Sequence, residues 1–277
     1  MTAYRFAYSP CPNDTYIFAA LTHGLVADAP AVKVLLEDID DLNIHAQRGA
    51  YELSKVSYGA IPWLMDRYRI LRSGGALGRG CGPLLVARAD TGRTLKDFSG
   101  LRIAIPGERT TAFLLLQLAL GLRPQTTVMR FDAIVDAVAK GHVDAGLIIH
   151  ESRFTYAEQG LIAIADLGAW WESASGCPIP LGAIVVRDDV AVGQAARIDQ
   201  AIRASLHFAR NHEAQIMPYV RAHAFEMSDD VMRKHIELYV NDYSDDLGAD
   251  GLAAVRELFA RGRAAGIFEP HAEARML

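Results

Sequence analysis

The sequence predicts an α/β fold of two similar lobes, each with a mixed sheet, and a cleft between them. Three observations carry this expectation. The order strand, capped helix, helix, glycine, strand occurs twice, in residues 4–58 and again in 101–150. The copies share a pattern of elements and almost no identical residues, which suggests two versions of one supersecondary unit. Two apolar runs, 83–88 and 180–187, flank the second copy and suit strands that carry the chain out to it and back. Beyond Asp188 the pattern is helical to the end, with Ile198, Ile202, Leu206 and Ala209 at near-helical spacing. The expected division is a discontinuous large domain, 1–88 plus 183–277, and a continuous small domain, 89–182. The crossings are expected near 86–89 and 182–184, the arrangement of proteins that close on a hinge.

Taken in order, Tyr4 to Tyr8 reads as a strand and Ser9 to Thr15 as a loop in which Pro10 and Pro12 exclude helix. Asn13, Asp14 and Thr15 are cap candidates for a helix over 16–21. A strand at Val32 to Leu36, a helix over 40–48 stopped by Gly49, and a strand over 52–58 complete the first copy. In the second copy, Leu101 to Ile105 is a strand, Thr110 and Thr111 precede a helix over 112–120, and 131–140 is helical. Gly141 ends that helix, and Val143 to Ile149 is short, apolar and partly β-branched, like a strand buried on both faces. Ser228 caps one later helix, and 252–263 forms another.

Composition narrows the function. A chain of 277 residues with 51% hydrophobic residues can bury a substantial core. A net charge of −5, with acidic and basic residues interspersed, argues against a nucleic-acid partner. Cys11, Cys81 and Cys177 are too far apart for a zinc motif or a disulfide framework. The start of the chain has no apolar signal core and no segment has the length of a membrane span, so a cytoplasmic location is expected.

The 143–149 run stops at His150-Glu151-Ser152-Arg153. Ligands of open α/β sheets bind beyond the carboxyl ends of the strands, so His150 is the leading catalytic candidate. Lys55 and Ser57 occupy the corresponding strand end in the first copy. Alternation places them on one side and Tyr58 on the other, although a lysine there is also an ordinary solvated rim residue. Thr110 and Thr111 begin a helix, where hydroxyls and free N–H groups suit a carboxylate or phosphate; plain capping explains them equally well. The glycines of 73–83 match neither the Walker nor the dinucleotide spacing and read as tight backbone. His142, His150 and Glu151 lack zinc-protease spacing, Ser152 lacks a nucleophile elbow, and Trp170 and Trp171 suit either a pocket wall or core.

Four stretches, Ser9 to Thr15, Leu71 to Gly80, Gly146 to Tyr156 and Asp166 to Trp171, make the chain resemble the 1,4-dihydroxy-6-naphthoate synthase family of the futalosine route to menaquinone. The resemblance runs from the first strand to the C-terminal helices. It implies a two-lobed periplasmic-binding-protein-like fold of type II in a protein that is not secreted. It also implies a lyase that converts cyclic dehypoxanthine futalosine, a small-molecule carboxylate, without metal or organic cofactor. The family's general base maps onto His150, and its substrate-contacting segments map onto Lys55-Val56-Ser57 and Thr110-Thr111. Val56 stands where the family has leucine, an apolar exchange of small consequence. An imidazole that titrates near ~6.5 when unperturbed suits a base at neutral pH. Two rivals remain, chorismate dehydratase of the same pathway and fold, and a non-catalytic solute-binding protein; a homodimer is left open.

Overall fold

The computed structural model describes residues 3–225, 228–269 and 275–277. Its two sheets repeat one topology. In the first, β1 (Tyr4–Tyr8) pairs in parallel with β2 (Val32–Leu36) and β3 (Leu53–Ser57), and β3 pairs antiparallel with β11 (Ile179–Arg187). In the second, β7 (Ile103–Ile105) pairs in parallel with β8 (Thr126–Val128) and β9 (Ala145–Ile148), and β9 pairs antiparallel with β6 (Leu84–Arg88). The orders 2-1-3-11 and 8-7-9-6 therefore correspond strand for strand. Short β4 (Tyr68–Ile70) and β5 (Ala76–Gly78) extend the first sheet through β11, and β10 (Leu161–Asp166) extends the second through β6. Both sheets are mixed, as expected.

The crossings differ from the expectation. Leu84 to Arg88 pairs only with strands of the second sheet, and all of Ile179 to Arg187 lies in the first. The chain thus passes between sheets at 79–83 and 176–178, several residues before each expected position. An apolar run looks the same whichever sheet takes it, so composition could not locate the switch. At the first crossing, Gly82 lies so close to Gly168 that a Cβ on either would collide with the other's backbone.

Helices α1 (Pro12–Thr22), α2 (Ile39–Gln47), α3 (Thr111–Leu120) and α4 (Phe131–Ala139) follow their strands in both lobes. Pro12 opens α1 rather than excluding it, because the first helical position has no N–H to lose. The short α5 (Ser152–Thr155) and α6 (Leu167–Ser175) follow β9 and β10. Beyond β11 the chain returns as α7 (Val192–Asn211), α8 (Glu213–His223) and α9 (Asp229–Tyr239), which pack on α1 of the first lobe. After the short α10 (Asp242–Asp245), α11 (Gly248–Ala264) rests on both β11 and α3. One buried apolar cluster runs through both lobes, joining Val56 and Tyr58 to Leu85, Phe113, Trp171 and Phe259. Among the described residues, no helix is long and apolar enough to cross a membrane.

Candidate functional site

His150 lies two residues beyond β9 in the left-handed backbone region, at φ +56°. Only His150 and Asp28 do so among the described non-glycine residues. Such a conformation costs about 1–3 kcal/mol and persists where the surroundings impose it. The His150 ring is held by Phe131, edge to face at 5.0 Å, and its Nδ1 lies 3.4 Å from Cys11 Sγ on the opposite lobe. Burial lowers the imidazole pKa to about 4, so the ring is neutral at physiological pH and has a lone pair to offer. The fold thus holds this imidazole well below the unperturbed value of 6.5. Burial raises the Cys11 thiol well above its usual range, so it stays protonated.

Lys55 and Ser57 emerge from one face of β3, and Val56 and Tyr58 enter the core from the other. The Val56 side chain therefore points away from the site and into the core. Lys55 is no solvated rim residue. Its side chain is 5% exposed, and Nζ donates to Asp14 Oδ1 at 2.7 Å and to the Gly74 carbonyl at 3.2 Å. Asp14 also accepts from Ser9 Oγ at 2.8 Å and Asn13 Nδ2 at 2.9 Å, so its buried charge is fully supported. Asn43 Nδ2 donates to Ser57 Oγ at 3.1 Å, while the Ser57 N–H donates to Asn43 Oδ1 at 2.8 Å. This arrangement fixes Ser57 with its own hydroxyl hydrogen still to give.

The two threonines divide the roles left open by the sequence. Thr110 caps α3: its Oγ1 accepts from the Phe113 N–H at 3.2 Å and donates to the Gly107 carbonyl at 2.9 Å. Thr111 joins the lobes, donating to the Leu181 carbonyl on β11 at 2.7 Å and accepting from the Gly59 N–H at 3.0 Å. Gly59 comes so near that a Cβ there would lie 2.8 Å from the Thr110 backbone. With both hydroxyls engaged, the donors left for an anion at this end are the first-turn N–H groups of α3. Thr111→Val should strand the buried Gly59 N–H, worth about 1–3 kcal/mol, and remove the hydroxyl's tie to the Leu181 carbonyl, which keeps the Tyr58 N–H. The expected result is a larger radius of gyration in small-angle scattering and roughly tenfold weaker ligand binding; unchanged values of both would remove Thr111 from lobe closure.

These groups meet in one cavity between the lobes, which encloses about 710 Å³ when its open mouth is counted. His150, Lys55, Ser57, Thr110 and Thr111 all line it, and Val56 does not. The cavity also takes Asn13, Asp14, Arg153, His235 and Tyr239, which were not proposed as site residues. Arg153 donates to the Gly82 carbonyl and, at 3.0 Å, to Asp166 Oδ2, pinning the first crossing. Asp14 looked like one cap candidate among three, and nothing in the sequence singled out His235, so neither carried a motif. Trp171 belongs to the core, its Nε1 donating to the Pro178 carbonyl at 3.0 Å. Among the described residues, no group of three or more His, Cys, Asp or Glu could hold a metal ion.

A sequence model of a menaquinone-biosynthesis family matches residues 4–264. The chain belongs to that family. It is 49% identical over 271 residues to the 1,4-dihydroxy-6-naphthoate synthase of Thermus thermophilus, covering 98% of this chain and 97% of that protein. It is 47% identical over 269 residues to the enzyme of the same name from Streptomyces coelicolor, covering 95% and 94%. Among solved structures, a protein from Archaeoglobus fulgidus superimposes with a TM-score of 0.90 at 35% identity, over 96% of this chain and 98% of that one. The alkanesulfonate-binding protein of Xanthomonas axonopodis pv. citri superimposes with a TM-score of 0.73 at 15% identity, over 99% and 96%. That likeness establishes a periplasmic-binding-protein-like fold.

In this menaquinone-biosynthesis family member the site is tuned by burial. His235 is fully buried and its pKa falls to about 3, chiefly through desolvation and then through His150. Glu151 moves the other way, up to about 7, again mainly by burial. A depressed histidine gives stability that is present above the unfolded value of 6.5 and lost as pH falls toward the folded one. Each tenfold difference in proton affinity is worth about 1.4 kcal/mol, so His150 and His235 each remove stability as pH falls below 6.5, while Glu151 and Asp40, with raised folded values, oppose them over the same range. Relative to wild type, the urea midpoint of His235→Gln should lose less, or gain more, as pH falls from 6.5 to 4. Parallel pH curves for the two proteins would contradict this origin of the sensitivity.

Proposed function

We propose that the chain is a 1,4-dihydroxy-6-naphthoate synthase. In this reading it is a lyase that converts cyclic dehypoxanthine futalosine to the bicyclic naphthoate and a small sugar-derived fragment, with His150 as general base. The observation that carries it is a neutral imidazole held in left-handed backbone at a strand end, facing a cavity whose opposite wall supplies Lys55 and the free hydroxyl hydrogen of Ser57. Opening the spiro ring requires a proton to leave the sugar-derived part and an oxyanion to be stabilised as it develops. His150 takes the proton. Ser57 and the first turn of α3 bind the carboxylate end, and preorganised donors in a water-poor cleft stabilise developing negative charge. Aromatisation of the bicycle supplies the driving force. Closure of the lobes brings Ser57, on the first, to the first turn of α3 and His150, on the second, around the substrate.

The test is to incubate the purified chain with cyclic dehypoxanthine futalosine, and in parallel with chorismate, and read products by mass spectrometry. The expected outcome is dihydroxynaphthoate from the first and unchanged chorismate from the second. Loss of chorismate, or no naphthoate, would overturn the proposal.

A further inference from the structure

The wall of the cavity nearest His150 is chemically unlike the anion-binding end, and the hydrogen bonds there fix which atoms can give and which can only receive. Asp14 Oδ1 accepts a hydrogen bond from Asn13 Nδ2 at 2.9 Å, which orients that amide and leaves Asn13 Oδ1 as an acceptor. Asn13 Oδ1 lies 3.0 Å from His235 Nε2, so that nitrogen must carry the ring proton of His235. The other nitrogen, Nδ1, is then a bare lone pair. It is buried, with no hydrogen-bond partner among the described residues, on a side chain that is 0% exposed and borders the cavity. Burial keeps the ring neutral well below physiological pH, so Nδ1 does not acquire a proton of its own there. A buried acceptor of this kind needs a donor. A carboxylate cannot supply one, and a hydroxyl can. The His235 and His150 rings are near parallel, 20° apart in plane with centroids at 6.4 Å. A hydroxyl that reaches His235 Nδ1 is therefore beside the proposed base.

We propose that His235 Nδ1 accepts a hydrogen bond from a hydroxyl of the sugar-derived half of the substrate, and so orients the substrate with that half at His150 and its carboxylate at Ser57 and α3. This deepens the functional reading above and rests on it. The buried pair of Asp14 and Lys55 beneath Asn13 has no net charge, which suits a neutral polyol segment better than an anion. Because the Asn13 amide is fixed by Asp14, the His235 tautomer is set before any ligand arrives.

The experiment compares wild type with His235→Gln, whose amide can still donate to Asn13 Oδ1 but has no acceptor where Nδ1 stood. Two ligands are used: the substrate, and the naphthoate product, which lacks the sugar-derived half. The expected result is a KM for substrate raised roughly tenfold or more with product affinity within twofold of wild type. Equal weakening of both ligands would mean that His235 serves the shape of the site only, and an unchanged KM would mean that Nδ1 meets no hydroxyl; either overturns the inference. A wild-type protein that does not turn over the substrate overturns the functional reading and this one with it. A second measurement needs no change at position 235: in ¹⁵N-histidine-labelled His150→Asn protein, the unprotonated-nitrogen signal of His235 should move on adding substrate and stay in place on adding product. A signal that stays in place with both ligands contradicts the assignment even if the Gln variant does not fold.

Discussion

Replacing His150 by asparagine is expected to lower kcat by about 10²–10⁴, the ordinary worth of a positioned base, while substrate affinity changes little. Thermal stability should hold or rise, because asparagine tolerates the left-handed backbone at +56° better than histidine does. A loss of activity without a loss of stability separates the chemical role from a structural one. The pH profile adds a second check. The kcat/KM profile reports the free enzyme, so its acid limb should fall near the depressed pKa of about 4 rather than near 6.5. Turnover in the variant within a few-fold of wild type would remove His150 from the mechanism.

Lys55→Met should have the largest effect on stability, about 3–5 kcal/mol, because it leaves the Asp14 carboxylate buried without its cation. Ser9 and Asn13 would still donate to Asp14, but no positive charge would remain at the position of Nζ. Adding Asp14→Asn removes the stranded charge, so the double variant should regain most of the stability measured by urea unfolding. Its activity should stay low, since the ordered floor of the cavity is gone. Equal stability of wild type and Lys55→Met would show that the pair contributes nothing to the fold.

The repeated order of elements could be read from the sequence because each copy uses ordinary signals: an apolar strand, a polar cap, a helix and a stopping glycine. Short edge strands could not. Thr126 to Val128 is three residues long and largely exposed, so no periodicity develops before it ends. The strand-end residues Lys55, Ser57 and His150 could be singled out as candidates because ligands of such sheets lie beyond the strand ends, and all three line one cavity. The environment of each could not be read, since it is made by distant segments. Lys55 meets Asp14 across 41 positions, Thr111 meets Leu181 across 70, and His235 meets Asn13 across 222. Thr111 showed the limit most clearly. Its neighbours in sequence suggest a cap, and only the folded chain shows that Thr110 caps while Thr111 ties the lobes together.

The most direct test of the central claim is a crystal structure of His150→Asn with cyclic dehypoxanthine futalosine bound. The substrate should lie between the two sheets, its carboxylate at Ser57 and the first turn of α3 and its sugar-derived half beside residue 150. A substrate bound outside that cavity, or inside it with its carboxylate at residue 150, would contradict the assignment of the site.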